Sequence, residues 1–416
     1  MEAIPMKKLK SFGVIAVALI IISTILFTGC TYDASSKVTS ATLNERGELV
    51  INYADGKSEV LGDNRPEDSA SSTNDIALAT SKGLRSSVSI FCEFVDEASA
   101  HYSGGSGVIL QLDKEKGNAF IVTNYHVVYS SEFNGGISNK INVYLYGSEY
   151  ADMGVEATYV GGSMYYDIAV LYVEGSELIK NSCALAVSVA DSDGISVGQA
   201  AIAIGNAEGL GISASSGIVS VDSEYIDMVA PDDKTVVSFR VMRIDTAVNH
   251  GNSGGGLFNA RGELIGIVNA KIIDEDVENI GYAIPSSLAI AVANNIIDNC
   301  FGKDCKTAMR CLLGITVGTL NTSMVYNEET GLVSIVETIG VVEVSETGIA
   351  HGIIKADDVM VSATLNGVTK KITRQFHVID LLLNARPGDV LELTVQRGEE
   401  TVTVSIKITE GCVTPY

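Results

Sequence analysis

From Leu84 onward the chain is a succession of short apolar runs punctuated by Gly, Asn and Asp. The runs are Val88–Val95, Gly107–Leu112, Ala119–Thr123, Ile141–Tyr146, Ile168–Val173, Ala200–Gly205, Gly217–Val221, Val236–Met242 and Glu263–Val268. Strands at this spacing with no helix between them cannot build a parallel α/β sheet, because each parallel crossover needs a dozen or more residues. They fit antiparallel barrels or a sandwich. The first clear helical pattern is Ser286–Cys300, where Ser286 or Ser287 is placed to cap an apolar face of Leu288, Ala291, Val292 and Ile296. A second β-rich unit follows from about Cys311 to Glu410. Its strands lie near Leu313–Val317, Gly331–Glu337, Asp358–Leu365, Val390–Arg397 and Glu400–Ile408, with a helical stretch at Thr373–Asn384.

The N-terminus reads differently. Lys7, Lys8 and Lys10 precede an apolar run from Val14 to Phe27, so residues 1–29 read as an export signal. Thr28-Gly29-Cys30 is similar to a bacterial lipobox, which would make Cys30 the lipidated residue; an uncleaved membrane anchor is the alternative. Either reading puts the rest outside the cytoplasm, tethered to a membrane. Residues 30–83 are Ser-, Asp- and Asn-rich and read as a tether, with one hairpin-like piece between Glu48 and Leu61 and a polar linker at Asp63–Asp75. The expected organisation is therefore signal 1–29, tether 30–83, a main β domain 84–300 and a second domain 311–410.

With 28 basic and 51 acidic residues the net charge is −23, which repels a polyanion and argues against nucleic acid as a partner. Six cysteines follow Cys30, namely 92, 183, 300, 305, 311 and 412; they form no C-x-x-C and have no paired His, so no metal site is expected. Their even number suits disulfides in an oxidising compartment, with Cys300, Cys305 and Cys311 as candidates, against buried free thiols at Cys92 and Cys183.

Chemistry concentrates in Gly251-Asn252-Ser253-Gly254-Gly255. A serine on a glycine-rich turn can project its hydroxyl while neighbouring N–H groups converge on one point. This suits acyl transfer, with Ser253 as nucleophile and the N–H groups of Gly251, Asn252 and Ser253 as an oxyanion hole. Such a turn alone could equally be a plain hairpin loop, so a base and a carboxylate decide. Of five histidines, His126 ends the apolar strand Ala119–Thr123, whereas His250 shares the turn with Ser253 and is badly placed to bridge it to an acid. Asp167 opens the strand Ile168–Val173; a carboxylate there should be buried, and a His donating to it supplies the partner burial demands. Asp245 is the rival, closer to Ser253 in sequence.

The order His126, Asp167, Ser253 is the chymotrypsin order. With Ser106-Gly107, TNYHVV around His126, YYDIAVL around Asp167, the stretch from Val197 to Leu210, Ser216-GIVS, Arg243-IDTAVNHGNSGGGL and Asn279-IGYAIP, the chain resembles an HtrA-type trypsin-family serine protease over about 84–298. The resemblance implies a chymotrypsin-like double β-barrel and a serine endopeptidase acting on unfolded or extended polypeptides. It also implies no cofactor, and a homotrimer. The family usually has Pro where His250 and Gly256 stand, so the turn should be looser here. The second unit resembles a PDZ domain, which implies capture of a C-terminal peptide as an added strand, with Cys311–Ile315 near the carboxylate loop. In trypsin-type folds the position six before the nucleophile floors the primary specificity pocket. Here it is Ala247, with Val268 and Asn269 expected on the far wall, and no carboxylate is present for a substrate Arg or Lys. Small aliphatic residues are therefore expected before the scissile bond. A protein of the same folds that holds unfolded chains with little hydrolysis is the competing class.

Overall fold

The computed structural model describes residues 38–43, 49–53, 58–61, 72–95, 100–134, 136–148, 153–272 and 280–415. The export signal and Cys30 lie outside the described residues. The chain divides into two compact units, with the division after Ser71. In the first, β1 (Val38–Leu43), β2 (Leu49–Tyr53) and β3 (Ser58–Leu61) form an antiparallel sheet in that order. The expected hairpin is β2–β3, and β1 adds a third strand.

The second unit begins with a helix, Ser72–Leu84, inside the stretch read as tether and linker. Asp75 in its first turn and Lys82 in its last suit the helix dipole. Ala79 is buried in the core, and Gly83 sits where a Cβ would be 2.5 Å from Ile204, so this helix belongs to the second barrel rather than to a free linker.

Two closed antiparallel barrels follow, as the strand spacing predicts. The first is made of β4 (Ser87–Val95), β5 (Ala100–Asp113), β6 (Asn118–Thr123), β7 (Lys140–Leu145), β8 (Val155–Ser163) and β9 (Ile168–Val173), in the order β4-β5-β6-β9-β8-β7. The second is made of β10 (Ala200–Gly205), β11 (Ser213–Val229), β12 (Val236–Ile244), β13 (Gly256–Phe258), β14 (Leu264–Val268) and β15 (Gly281–Pro285), in the order β10-β11-β12-β15-β14-β13. Side-chain alternation sorts the core into layers. Ala169, Leu171 and Val173 fill the first barrel, while Ile168 and Val170 face outward into the packing that also takes Ile202, Ile204 and the helix Ser286–Cys300. Ala201 and Ala203 fill the second barrel. These strands are buried on both faces, which is why they read as unbroken apolar runs.

The helix Ser286–Cys300 has the predicted bounds and buries Leu288, Ala291, Val292 and Ile296. Its N-cap, however, is Pro285, with no side-chain cap. The serines expected to cap bond elsewhere: Ser286 Oγ donates to Ala190 O (2.9 Å) and Ser287 Oγ to Asp193 (2.7 Å).

Beyond it, β16 (Met309–Cys311) leads to β17 (Ile315–Asn327), β18 (Leu332–Val344), β19 (Val359–Leu365), β20 (Val368–Lys371), β21 (Val390–Arg397) and β22 (Glu400–Lys407). The strand order is β17-β18-β19-β21-β22, with β20 on β19 and β17 at an edge. Asn321–Thr330 forms the far end of the long β17–β18 hairpin. A final strand, β23 (Val413–Pro415), pairs with β16. The predicted helix shortens to Phe376–Leu382. No disulfide joins the six cysteines after Cys30 in this structure, the candidates Cys300, Cys305 and Cys311 included.

A buried ion cluster joins this third sheet to the second barrel. Arg240 of β12, 2% exposed, donates to Asp193 (3.0 Å) and to Asp380 of the helix Phe376–Leu382 (2.6 Å), and stacks 3.7 Å above the Phe376 ring. Lys370 also pairs with Asp193, and Arg374 with Asp222 of β11 (2.8 Å). Burial would raise Asp193, but Arg240 and Lys370 hold it down at about 2. Burial pushes Asp380 up to about 6 against the pull of Arg240. Removing the central cation leaves two carboxylates buried without it. Arg240→Ala should therefore cost about 3–5 kcal/mol, read as a lowered urea midpoint; an unchanged midpoint would show that the cluster adds nothing to stability.

Candidate active site

Asp167 immediately precedes β9 and adopts a left-handed backbone, φ +51°, which Asp tolerates better than most residues. The conformation turns its carbonyl toward the end of β6, where Asn124 Nδ2 (2.8 Å) and Tyr125 N (3.2 Å) donate to it. The short helix Tyr125–Val128 starts there and carries His126. The carboxylate, 1% exposed, accepts His126 N at 2.9 Å, His126 Nδ1 at 2.6 Å and Asn269 Nδ2 at 2.9 Å. Three donors on a buried carboxylate meet the demand that burial makes, and they hold the imidazole with Nε2 free to take a proton. Asp245, the rival, is exposed and accepts the Ile218 N–H (2.6 Å) through Oδ1.

Ser253 lies on the turn before β13 and is 5% exposed. Two glycines shape that turn. Gly251 has φ +89°, and a Cβ on it would lie 2.2 Å from Asn206 O; Gly254 has φ +81°, and a Cβ on it would lie 2.2 Å from Thr123 Oγ1. Ser106 fastens the turn to β5: its N–H donates to Ser253 O (2.8 Å) and its hydroxyl to Gly251 O (2.7 Å), while that hydroxyl accepts from Asn206 N (2.8 Å). Ser253 Oγ itself accepts the Ala270 N–H at 3.2 Å. The consecutive residues Asn269 and Ala270 thus hold the carboxylate and the serine hydroxyl respectively.

The expected oxyanion donors divide. Asn252 N donates to Asn249 O (3.1 Å) within the turn, whereas Gly251 N and Ser253 N have no hydrogen-bond partner among the described residues. His250 is exposed, and its carbonyl accepts Glu208 N (2.8 Å).

The residues expected to shape the specificity pocket need correcting. Val268 is fully buried in the second barrel's core, and the Asn269 amide is spent on Asp167, so neither side chain walls a substrate slot. Packing with Ile265, Leu257 and Ala283 in the second-barrel core claims Val268, and the Asp167 carboxylate claims Asn269. Ala247 is exposed, as a pocket floor requires. Sequence reasoning missed Asn269 and Asn124 as partners of Asp167, and Ser106 as the fastener of the turn. The signal for two of them lay in the motifs TNYHVV and Ser106-Gly107, whose polar residues precede apolar strands or helices without an evident partner.

Comparison with known proteins bears on the fold and the family. The family described as a trypsin-like peptidase domain matches residues 105–267. The serine protease Do-like HtrA of Bacillus subtilis (strain 168) is 31% identical over 337 residues, 79% of this chain and 69% of that protein. This chain belongs to the HtrA family of serine endopeptidases. The periplasmic pH-dependent serine endoprotease DegQ of Escherichia coli (strain K12) is 30% identical over 318 residues, 75% of this chain and 61% of that protein. The solved structure of the HtrA-type protease AlgW with a tripeptide superposes with a TM-score of 0.53 at 26% identity, covering 82% of this chain and 98% of that one.

Within this HtrA-type protease, Asn269→Ala would take one charge-assisted hydrogen bond from Asp167, a loss of about 1.5–3 kcal/mol. Peptide hydrolysis should fall in kcat by roughly ten- to a hundredfold with KM little changed. Full activity in that variant would mean that His126 alone keeps the carboxylate in place.

Proposed function

We propose that this HtrA-type protease cuts peptide bonds by a triad in which His126 takes the Ser253 proton as Ser253 Oγ attacks the carbonyl. Asp167 holds the His126 tautomer and stabilises the imidazolium. The developing oxyanion is received by Gly251 N and Ser253 N, which have no other partner among the described residues. The observation that carries this reading is the 2.6 Å contact between His126 Nδ1 and Asp167, made on the carboxylate that Asn269 also holds, next to Ala270, whose N–H meets Ser253 Oγ. Proton return from His126 to the leaving amine, followed by attack of water on the acyl-serine, completes the cycle.

Exposed or unfolded polypeptide is the proposed substrate, with a small aliphatic residue before the cut. Ala247 is exposed, its neighbours Thr246 and Val248 carry no charge, and a substrate Arg or Lys would find no carboxylate there. The third sheet is proposed to act as a PDZ-like module. Its edge strand β17 and the helix Phe376–Leu382 flank a groove of about 340 Å³ lined by Leu313, Gly314, Ile315, Val378 and Leu382, which suits an extended peptide added to the edge. We place the protein outside the cytoplasm, held to a membrane through its N-terminus and Cys30, and assembled as a homotrimer. The N-terminal sequence pattern and the periplasmic relative support the location. A second reading, holding chains with little hydrolysis, is favoured by Ser253 Oγ accepting from Ala270 N instead of meeting His126.

Ser253→Ala and His126→Ala should each abolish hydrolysis and fluorophosphonate labelling while circular dichroism is unchanged, and the double variant should be hardly worse. Asp167→Asn should lose most activity and Asp245→Asn little; the reverse result would move the orienting acid to Asp245. A peptide-library digest dominated by cuts after Arg, Lys, Phe or Tyr would overturn the pocket reading. Wild-type protein that binds unfolded chains but neither labels nor cuts would favour the holding function.

A further inference from the structure

Two thiols that the reaction chemistry does not use face each other where the third sheet begins and ends. Cys311 closes β16, and Cys412 stands one residue before β23; the two strands pair antiparallel, with Cys311 opposite Val413. Leu312 N donates to Cys412 O (2.8 Å), fixing both main chains beside the pair. The Sγ atoms are 3.7 Å apart, and each residue is 5% exposed. A disulfide needs its sulfurs at about 2 Å, so the remaining gap is within the reach of side-chain torsions.

We propose that Cys311 and Cys412 are joined as a disulfide in the exported protein, closing the third sheet on itself and anchoring the loop that follows Cys311. That loop, Leu312–Gly314, lines the groove beside β17, so the bond would brace one wall of it. The bond itself does not depend on what the groove binds.

The chemistry requires an oxidant of the disulfide class, such as oxidised glutathione or a dithiol–disulfide oxidoreductase. One cysteine thiolate attacks the oxidant's disulfide and releases one thiol; the second thiolate then attacks the mixed disulfide and releases the other. The pair loses two protons, and two electrons pass to the oxidant, which leaves as two thiols. Burial pushes the Cys311 thiol up to about 12. A folded, reduced pair is therefore slow to attack, and the bond forms during folding or local opening; once formed, the same burial shields it from reductant. The two cysteines are 101 positions apart, and the closed loop contains β17 to β22, so cross-linking restricts a long stretch of the unfolded chain. Cys300 and Cys305 form the competing pair, since both donate to Thr307 O, at 3.3 and 3.2 Å.

The test uses the full chain equilibrated in glutathione buffers of rising oxidised fraction, quenched with acid, alkylated in denaturant and digested for peptide mass mapping. The expected product is a linked peptide pair carrying Cys311 and Cys412, two hydrogens lighter than the separate peptides and lost with dithiothreitol. Reduction should lower the unfolding midpoint of the third sheet by at least about 10 °C. Cys311→Ala/Cys412→Ala should abolish that reductant-dependent shift, and Cys300→Ala/Cys305→Ala should keep it. Alkylation of both Cys311 and Cys412 in the most oxidising buffer would overturn the proposal, as would linkage of Cys300 to Cys305 or to Cys311 alone. If the double variant does not fold, the peptide map of the wild-type chain decides by itself.

Discussion

The Asp167 carboxylate is the interaction on which the arrangement of this protease rests. A carboxylate that is 1% exposed is tolerable only with hydrogen-bond donors on its lone pairs, and the fold draws those donors from both barrels. The main-chain N–H and ring of His126 come from the end of β6 in the first barrel, and the Asn269 amide from the end of β14 in the second. The carboxylate therefore links the two barrels at their seam, one residue along β14's exit from the N–H that meets Ser253 Oγ. Misplacing either barrel would leave a buried anion short of a donor. Register at the seam is thus enforced electrostatically as well as by packing.

The barrels were legible in the sequence because strands buried on both faces announce themselves as continuous apolar runs, as in Ile168–Val173 and Ala200–Gly205. Asp167 was legible for a related reason: a carboxylate at the mouth of such a run has to be paired. What could not be read were the features set by through-space partners. The helix Ser72–Leu84 lies in a polar segment, and its place on the second barrel depends on small residues, Ala79 and Gly83, fitting against a surface the sequence does not display. Position alone places Val268 and Asn269 in a pocket. Where each side chain goes follows from the second-barrel core that takes Val268 and from the Asp167 lone pairs that take Asn269, neither of which can be seen without the other strands. The cap of Ser286–Cys300 failed likewise, since Asp193 and Ala190 draw its serines away.

The same buried-charge logic organises the other junction. Arg240 carries one face of the contact between the second barrel and the third sheet, paired with Asp193 from the barrel side and with Asp380 and the Phe376 ring from the other. Val378 and Leu382, on the same short helix as Phe376 and Asp380, line the groove beside β17. A ligand that shifts this helix to fit the groove must move Asp380 relative to Arg240. A long-chain cation between two carboxylates resists such a shift more sharply than an apolar contact would, because separating buried charges is steep in a medium of low dielectric. The junction is thus built to keep the helix in one position, and groove and barrel share a rigid element rather than a hinge.

Against that rigidity, the serine hydroxyl is the soft part of the site. Its partner is a neutral main-chain N–H at 3.2 Å, a bond of ordinary length and no charge assistance. Such a bond contributes about 0.5–1.5 kcal/mol net, comparable to the cost of a rotamer change. His126 is held by its contact with the Asp167 carboxylate, and Ser106 fixes the turn carrying Ser253 to β5, so the Ser253 side-chain torsion is the least constrained of the three. The expensive terms, a buried carboxylate and two positive-φ glycines against backbone and side-chain oxygens, are settled on folding. What stays adjustable is the Ser253 hydroxyl, whose single main-chain contact with Ala270 is weak beside them.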